Sequence, residues 1–128
     1  MITKGLQWPE KVIMCFLPNL NGVYKSSDNG KNWVYSSTGL NSVISKFVSD
    51  IHADESGVYI VTPVGVYKSN DNGGNWRESN NGMNFTGNKE FERIFRLNGN
   101  LFVYENDNGN DRIYESTDNG DNWTKAVG

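Results

Sequence analysis

The sequence has little that would indicate a disulfide framework, a nucleic-acid partner or a charged surface of one sign. Its one cysteine, Cys15, lies in the apolar run 12–17, so no internal disulfide can form and nothing marks an oxidising compartment. We expect Cys15 to be a small buried apolar residue rather than a nucleophile. The net charge is −3 and the basic residues are scattered singly, which argues against a nucleic-acid partner.

Long apolar runs and helical periodicity are also missing. No segment approaches the roughly 20 apolar residues of a membrane span, and the N-terminus lacks the pattern of a signal peptide. The compartment is therefore open, with the cytoplasm as the default. No segment shows the periodicity of an amphipathic helix, which argues against a βαβ fold. With 3 prolines and 14 glycines, the composition indicates short strands joined by tight turns.

The chain does contain one twelve-residue segment three times. The copies occupy residues 22–33, 65–76 and 112–123. Their central aspartates are 43 residues apart from Asp28 to Asp71, and 47 apart from Asp71 to Asp118. A repeat of this length that is rich in strand-forming residues predicts a stacked all-β array.

Each repeat is predicted to form a small antiparallel sheet. The strands expected in the second repeat are 43–51, 58–62, 65–69 and 75–78, with turns at 53–57 and 63–64. Those expected in the third are 91–97, 101–105, 112–116 and 122–126. The second strand of each sheet is apolar at consecutive positions, so both of its faces should be buried. Stacked four-stranded sheets of this kind are β-propeller blades. We predict one domain of three blades, at 1–38, 39–81 and 82–128.

The repeated segments share the pattern Ser-x-Asp-x-Gly-x-x-Trp at the predicted turn between third and fourth strands. The aspartate can accept hydrogen bonds from its own turn, the glycine can adopt a positive φ, and the tryptophan can anchor the blade. The pattern resembles the Asp-box, or bacterial neuraminidase repeat, of β-propellers such as sialidases and sortilin-type receptors. The resemblance implies that the boxes are structural and lie away from the ligand-binding face. The residues concerned are Ser26, Asp28, Gly30, Trp33, Ser69, Asp71, Gly73, Trp76, Ser116, Asp118, Gly120 and Trp123.

The Asp-Asn-Gly turns also raise the question of calcium. If the box glycine took the sixth position of an EF-hand loop, the first position would fall on Lys25, Lys68 or Glu115. Two of these cannot be calcium ligands, and no glutamate fits the twelfth position. We therefore predict neither a metal site nor a cofactor.

Catalytic patterns are weak. Resemblance to sialidases implies a three-arginine clamp and an Arg-Ile-Pro motif, and the motif does not occur. The arginines are Arg77, Arg93, Arg96 and Arg112. A glycosidase needs two carboxyl groups about 5–10 Å apart. Spacing pairs none of the candidates outside the boxes, which are Asp50, Asp54, Glu55, Glu90, Glu92, Glu105, Asp107 and Asp111. His52, the one histidine, has no partner motif.

Ligand binding is expected on the loops opposite the boxes, which are rich in asparagine, serine and glycine. The candidate residues are Asn19, Asn21, Asn41, Asn84, Phe85, Asn106, Asp107 and Asp111. The favoured hypothesis is a non-catalytic propeller module that binds a protein or a glycan. The alternative is a sialidase-like or other glycoside hydrolase relative, whose site assembles only in an oligomer.

Three blades are too few for a closed ring, since propellers have typically 4–8. We expect two copies of the chain to close a six-bladed ring as a homodimer. A piece of a longer propeller and an open half-propeller are the alternatives. The first repeat is short, because Gly5 to Gly22 spans 17 residues whereas Gly39 to Gly65 spans 26. Its innermost strand is therefore short, donated by a partner, or absent.

Overall fold

The structure, a computed structural model, describes residues 4–7, 13–19, 21–83, 90–107 and 109–127. Within these residues the chain is all-β, apart from one turn of 3-10 helix at Ile44–Lys46. No helix in this part of the chain is long and apolar enough to cross a membrane.

The strands form three four-stranded antiparallel sheets, and in each sheet they follow chain order. The first sheet contains β1 (Lys4–Gln7), β2 (Ile13–Asn19), β3 (Gly22–Ser26) and β4 (Val34–Tyr35). The second contains β5 (Asp50–Asp54), β6 (Gly57–Thr62), β7 (Gly65–Ser69) and β8 (Arg77–Glu78). The third contains β9 (Glu90–Leu97), β10 (Asn100–Asp107), β11 (Asn110–Ser116) and β12 (Thr124–Val127).

The second sheet lies between the other two. Its first strand, β5, contacts both β1 and β9, so the first strands form the inner side of the stack. Val58 and Ile60 pack in the apolar cluster shared with the first sheet, whereas Tyr59 and Val61 pack in the cluster shared with the third. All four side chains are fully buried. The prediction that this strand is buried on both faces is therefore confirmed for the second sheet.

Glycine sets the spacing between neighbouring sheets. Gly39, just after the first sheet, lies over the backbone of Trp76 in the second, and a Cβ there would be 2.1 Å from the Trp76 carbonyl oxygen. Gly82 lies over Trp123 in the same way, again with a 2.1 Å clash for a Cβ. Any side chain at these positions would force the sheets apart, so only glycine permits this approach.

The fourth strands β8 and β12 each begin two residues later than predicted, and the largest difference is at the first strand of the second sheet. Residues 43–51 do not form a single strand, because residues 44–46 turn into the 3-10 helix and β5 begins only at Asp50. Two serines explain the turn: Ser45 N–H donates to Ser42 Oγ (3.0 Å), and Ser45 Oγ donates to the Ser42 carbonyl (2.8 Å). These local bonds compete with strand pairing. The predicted turn at 53–57 is also shorter, since Asp54 and Gly57 pair in the ladder.

The innermost strand of the first sheet is the short strand β1, which pairs with β2 through Lys4–Phe16 to Gln7–Ile13. Of the three alternatives for this strand, the structure therefore has a short one supplied by the chain itself.

The unequal spacing of the box aspartates arises at a single hairpin. In the second sheet the hairpin between β6 and β7 closes at the pair Thr62–Gly65. In the third, the hairpin between β10 and β11 continues two pairs further, to Asp107–Asn110. Four added residues at this hairpin account for the longer step from Asp71 to Asp118. The hairpin lies at the end of the sheets opposite the boxes. We call that end the loop edge and the other the box edge.

Candidate functional site

The three boxes fold into the same turn between third and fourth strands. In the second box, Ser69 Oγ donates to Asp71 Oδ1 (2.7 Å) and accepts the Gly73 N–H (2.8 Å). Asp71 accepts the backbone N–H of Asn75 and its side-chain amide, both at 2.8 Å. The first and third boxes repeat this pattern through Ser26, Asp28, Asn32 and through Ser116, Asp118, Asn122. Each box aspartate therefore holds its own turn, as its residue type predicts.

These bonds favour the ionised aspartate. The side-chain amide of Asn75, then the Ser69 hydroxyl and the Asn75 backbone N–H, lower the pKa of Asp71 to about 2. The Ser26 hydroxyl and the Asn32 N–H groups lower the pKa of Asp28 to about 2. The pKa of Asp118 is lowered for the same reasons. The box asparagines Asn29, Asn72 and Asn119 have φ of 62°, 57° and 56°, a left-handed geometry that asparagine tolerates better than most residues.

The tryptophans of the second and third boxes join neighbouring sheets. Trp76 Nε1 donates to the carbonyl of Ser36 (2.7 Å), and Trp123 Nε1 donates to that of Ser79 (2.7 Å). Trp76 and Trp123 are 4% and 2% exposed. Both box glycine carbonyls accept a hydroxyl from the preceding sheet, Gly73 from Ser36 and Gly120 from Ser79.

Trp33 in the first box behaves differently. It is half-buried, and its Nε1 donates to Gly30 within its own turn (3.0 Å). No sheet precedes the first one among the described residues, so the expected packing between sheets is absent here.

An ionic network joins the second and third sheets at the box edge. Asp54 Oδ2 accepts from Arg96 Nε (2.6 Å) and lies 2.7 Å from His52 Nε2. Asp54 Oδ1 accepts from Ser56 Oγ (2.6 Å). Burial alone would raise the pKa of Asp54, but the bonds from Ser56, Arg96 and His52 outweigh it and hold that pKa well below its usual range. A carboxylate bound in this way is a structural ion pair rather than a proton donor or acceptor.

A cleft lies between the second sheet and the segment that follows the first sheet. Its volume is about 420 Å³, and it is lined by Gly39, Asn41, Ser42, Tyr67, Arg77 and Glu78. Tyr67 comes from the third strand of the second sheet and is 7% exposed. Burial, and then the charge of Glu78, raise the pKa of the Tyr67 hydroxyl, while a hydrogen bond with Ser45 opposes the shift. Tyr67 therefore stays neutral at ordinary pH and can exchange hydrogen bonds.

Beside this cleft, the segment that leads into the second sheet exposes three large apolar side chains. Val43, Ile44 and Phe47 are 73%, 49% and 41% exposed. The Val48 N–H donates to the Asn19 carbonyl (3.1 Å), which fixes the segment over the end of β2. Exposed apolar side chains next to a polar cleft are typical of a binding surface.

The β10–β11 hairpin forms a polar group at the loop edge. Asp111 Oδ1 accepts from the Tyr104 hydroxyl (2.7 Å) and from Asn106 Nδ2 (3.1 Å). Glu105 is fully buried and lies 3.5 Å from Arg112 Nη1. Asn106, Asp107 and Asp111 thus belong to paired strands, not to an irregular loop.

The predicted loop residues are brought together only in part. Asn41 lines the cleft. Asn19 is the last residue of β2 and Asn21 is in the turn beside it, where the Asn21 N–H donates to Asn19 Oδ1 (3.0 Å). Asn84 and Phe85 lie outside the described residues. The predicted site residues do not include Tyr67, Arg77, Glu78 or the apolar residues of segment 43–47. Tyr67 falls in the predicted strand 65–69, and segment 43–47 falls in the predicted strand 43–51.

Three of the four arginines lie at different places in the fold. Arg77 lines the cleft, Arg96 binds Asp54 at the box edge, and Arg112 faces Glu105 on the hairpin. In the described part of the chain, no group of three His, Cys, Asp or Glu side chains could hold a metal ion.

The fold and the repeated sheets define a propeller-like all-β architecture, and comparison with solved structures agrees. The GH74 enzyme of Niastella koreensis superposes with a TM-score of 0.67 and 21% identity, over 91% of this chain and 19% of that enzyme. An ancestral GH74 enzyme superposes with a TM-score of 0.68 and 16% identity, over 98% of this chain and 18% of the other. GH74 enzymes are β-propeller-type glycoside hydrolases. At these identities the likeness shows the fold alone, and this chain spans about a fifth of their length. No protein-family model and no curated protein matches the sequence.

Proposed function

We propose that this chain is a non-catalytic β-propeller module of the Asp-box type that binds a glycan between its first and second sheets. The observation that carries the proposal is the cleft of about 420 Å³ between the first and second sheets. Its polar groups differ in kind: an amide from Asn41, a phenol from Tyr67, and the charged Arg77 and Glu78.

This set of groups suits a carbohydrate. Sugar hydroxyls both donate and accept hydrogen bonds. The amide and the phenol can do both as well, the guanidinium donates, and the carboxylate accepts. The exposed apolar residues beside the cleft, Ile44 and Phe47 among them, can pack against the C–H faces of a sugar ring. The fold likeness to glycoside hydrolases also supports a glycan over a protein as the ligand.

Three observations support binding without hydrolysis. The described lining of the cleft has one carboxylate, Glu78, whereas a glycosidase needs two facing each other across the bond to be cleaved. Asp50, the first residue of β5, accepts the Ile94 N–H (2.9 Å) and so ties two inner strands together. Asp111 and Glu105 are held by the hairpin.

A glycoside hydrolase relative is the second candidate, and the likeness to GH74 enzymes favours it. In that case Glu78 would be one catalytic carboxylate, and a second would have to come from outside the described cleft lining.

Calorimetric titration with a panel of neutral and acidic oligosaccharides tests the proposal. We expect at least one to bind, and Asn41→Ala to weaken its affinity at least about fivefold by removing about 1 kcal/mol of hydrogen bonding. Glu55→Gln, at an exposed position on the box edge, is the control and should bind normally. Absence of binding across the panel would contradict the proposal.

The same panel separates the two candidates. Reducing-end release from the bound oligosaccharide should be zero for the module that we propose. Release that Glu78→Gln abolishes, with binding retained, would instead establish the hydrolase.

A further inference from the structure

The two end sheets each expose a face that is buried elsewhere in the stack. At each internal interface one sheet presents its forward face, toward the next sheet along the chain, and the next presents its backward face. The backward face of the first sheet and the forward face of the third have no neighbour within the described chain. Strand register assigns each residue on these faces an equivalent in an internal interface.

The backward face of the first sheet matches those of the other two. Tyr67 and Tyr114 occupy one position of β7 and β11, and they are 7% and 3% exposed. Tyr24 occupies the same position of β3 but is only half-buried, with its ring 5.2 Å from that of Tyr35. Trp33 is half-buried for the same reason. This face thus has the residues of a buried interface without the sheet that would bury them.

The forward face of the third sheet matches those of the first two. Ile113 takes the position of Val23 and Val66, both fully buried. Phe102 takes that of Tyr59 and stacks on Phe95 at 5.5 Å. Ile113 and Phe102 are half-buried. At the internal interfaces, each backward face packs against an apolar forward face of this kind.

Charge distinguishes this pair of faces from the internal ones. At the internal interfaces Lys25 Nζ donates to the Asn72 carbonyl (3.2 Å), and Lys68 Nζ to the Asn119 carbonyl (3.0 Å). The equivalent residue of the third sheet is Glu115, which cannot donate to the corresponding Asn29 carbonyl. Beside Asn29, however, the first box has Lys31 where the other boxes have Gly74 and Asp121. Glu115 thus gives the end face of the third sheet a negative charge where the internal interfaces have a lysine, and Lys31 gives the end face of the first sheet a positive charge.

The end faces also differ from the internal interfaces in a serine hydroxyl. Ser36 and Ser79 donate their hydroxyls to the glycine carbonyl of the next box. The equivalent position after the third box is Ala126, which has no hydroxyl. The first box needs none, because its Gly30 carbonyl already accepts the Trp33 indole N–H (3.0 Å).

We propose that the occupant of each end face is a second copy of this chain, packed with its third sheet against the first sheet of its partner and with Glu115 facing Lys31. Such an interface joins unlike faces and so generates a ring if the rotation closes. Two copies of these three sheets make six, which lies within the typical range of 4–8 blades of a closed propeller. Two copies related by a two-fold axis therefore complete the ring, with two equivalent interfaces.

The mass of the chain in solution, by sedimentation velocity over a range of concentrations, tests the proposal. We expect twice the 14.4 kDa of one chain. Ile113→Asp puts a charge on the apolar forward face, and should give a folded monomer with an unchanged circular dichroism spectrum. A wild-type chain that is monomeric throughout would overturn the proposal.

Charge reversal tests which faces meet. Lys31→Glu opposes Glu115 with a like charge and should raise the dissociation constant at least about tenfold. The double variant Lys31→Glu with Glu115→Lys should return it to within about threefold of the wild type. Lys125→Glu makes the same charge change on β12, at the position paired with Tyr114 on the other face of the third sheet, and should have no effect. A dimer that Lys31→Glu leaves intact, or that the double variant does not restore, would overturn the pairing. Dimerisation needs no glycan, so failed glycan binding would not affect this result.

Discussion

The first box and the two later boxes have the same turn but different surroundings. All three hold the turn with the same serine, aspartate and asparagine bonds. Trp76 and Trp123 are buried against a preceding sheet, whereas Trp33 is half-buried and bonds within its own turn. The turn is therefore a local structure that forms from its own residues. The packing role of the tryptophan depends on a neighbouring sheet.

The largest expected difference between the boxes is in the tryptophans. Trp76→Ala should lower the free energy of unfolding by about 3–5 kcal/mol, because it leaves a cavity between two sheets. Trp33→Ala should cost about 1–2 kcal/mol in the monomer, since less apolar area is lost from burial. Urea unfolding of both variants, in the monomeric Ile113→Asp background, measures the difference. Equal losses would show that the neighbouring sheet does not set the tryptophan's contribution.

A smaller effect is expected from the serine that joins two boxed sheets. Ser36→Ala removes the hydroxyl that donates to Gly73, and leaves a buried carbonyl without that bond. The cost should be about 1–3 kcal/mol in urea unfolding. Ser27→Ala, at an exposed position in the first box, is the control and should cost much less. A Ser36→Ala variant as stable as this control would mean that the bond to Gly73 contributes nothing.

The smallest expected effect tests what the boxes share. Asp28 and Asp71 both have a pKa of about 2, below the usual value of about 3.9. A folded-state pKa that is lower than the unfolded one stabilises the fold above about pH 4, and this contribution is lost as the pH falls toward 2. Asp28→Asn and Asp71→Asn should each remove the same small part of the pH dependence of the free energy of unfolding. Unfolding at a series of pH values between about 2 and 6 measures it. A pH dependence that only Asp71→Asn alters would show that the two turns are not equivalent.

Much of the fold follows from local pattern. Positive φ at Asn72 and the turn bonds of Asp71 depend on residues within the same segment, so the sequence predicts them well. The strand Gly65–Ser69 agrees with the predicted bounds because its β-branched and aromatic residues are flanked by clear turn residues. The three sheets and their antiparallel order follow from the repeat.

The candidate site was harder to predict because it depends on contacts between repeats. Tyr67 lines the cleft only because the segment after β4 lies against it. Segment 43–51 has the apolar composition of a strand, and the side-chain bonds between Ser42 and Ser45 redirect it. Likewise, the different environments of Trp33 and Trp76 come from the order of the sheets in the stack, which the identical box pattern does not encode.

The close approach of Gly39 and Gly82 to the tryptophan backbone limits where residues can be inserted as such a protein evolves. Added residues around Gly39 or Gly82 would disturb a contact with no free space, whereas the four extra residues of the third repeat lengthen only a hairpin at the loop edge. Duplicated blades can therefore diverge in length at this hairpin while keeping the contacts between sheets unchanged. Segments grafted for new binding specificities should accordingly be tolerated at the β6–β7 and β10–β11 hairpins.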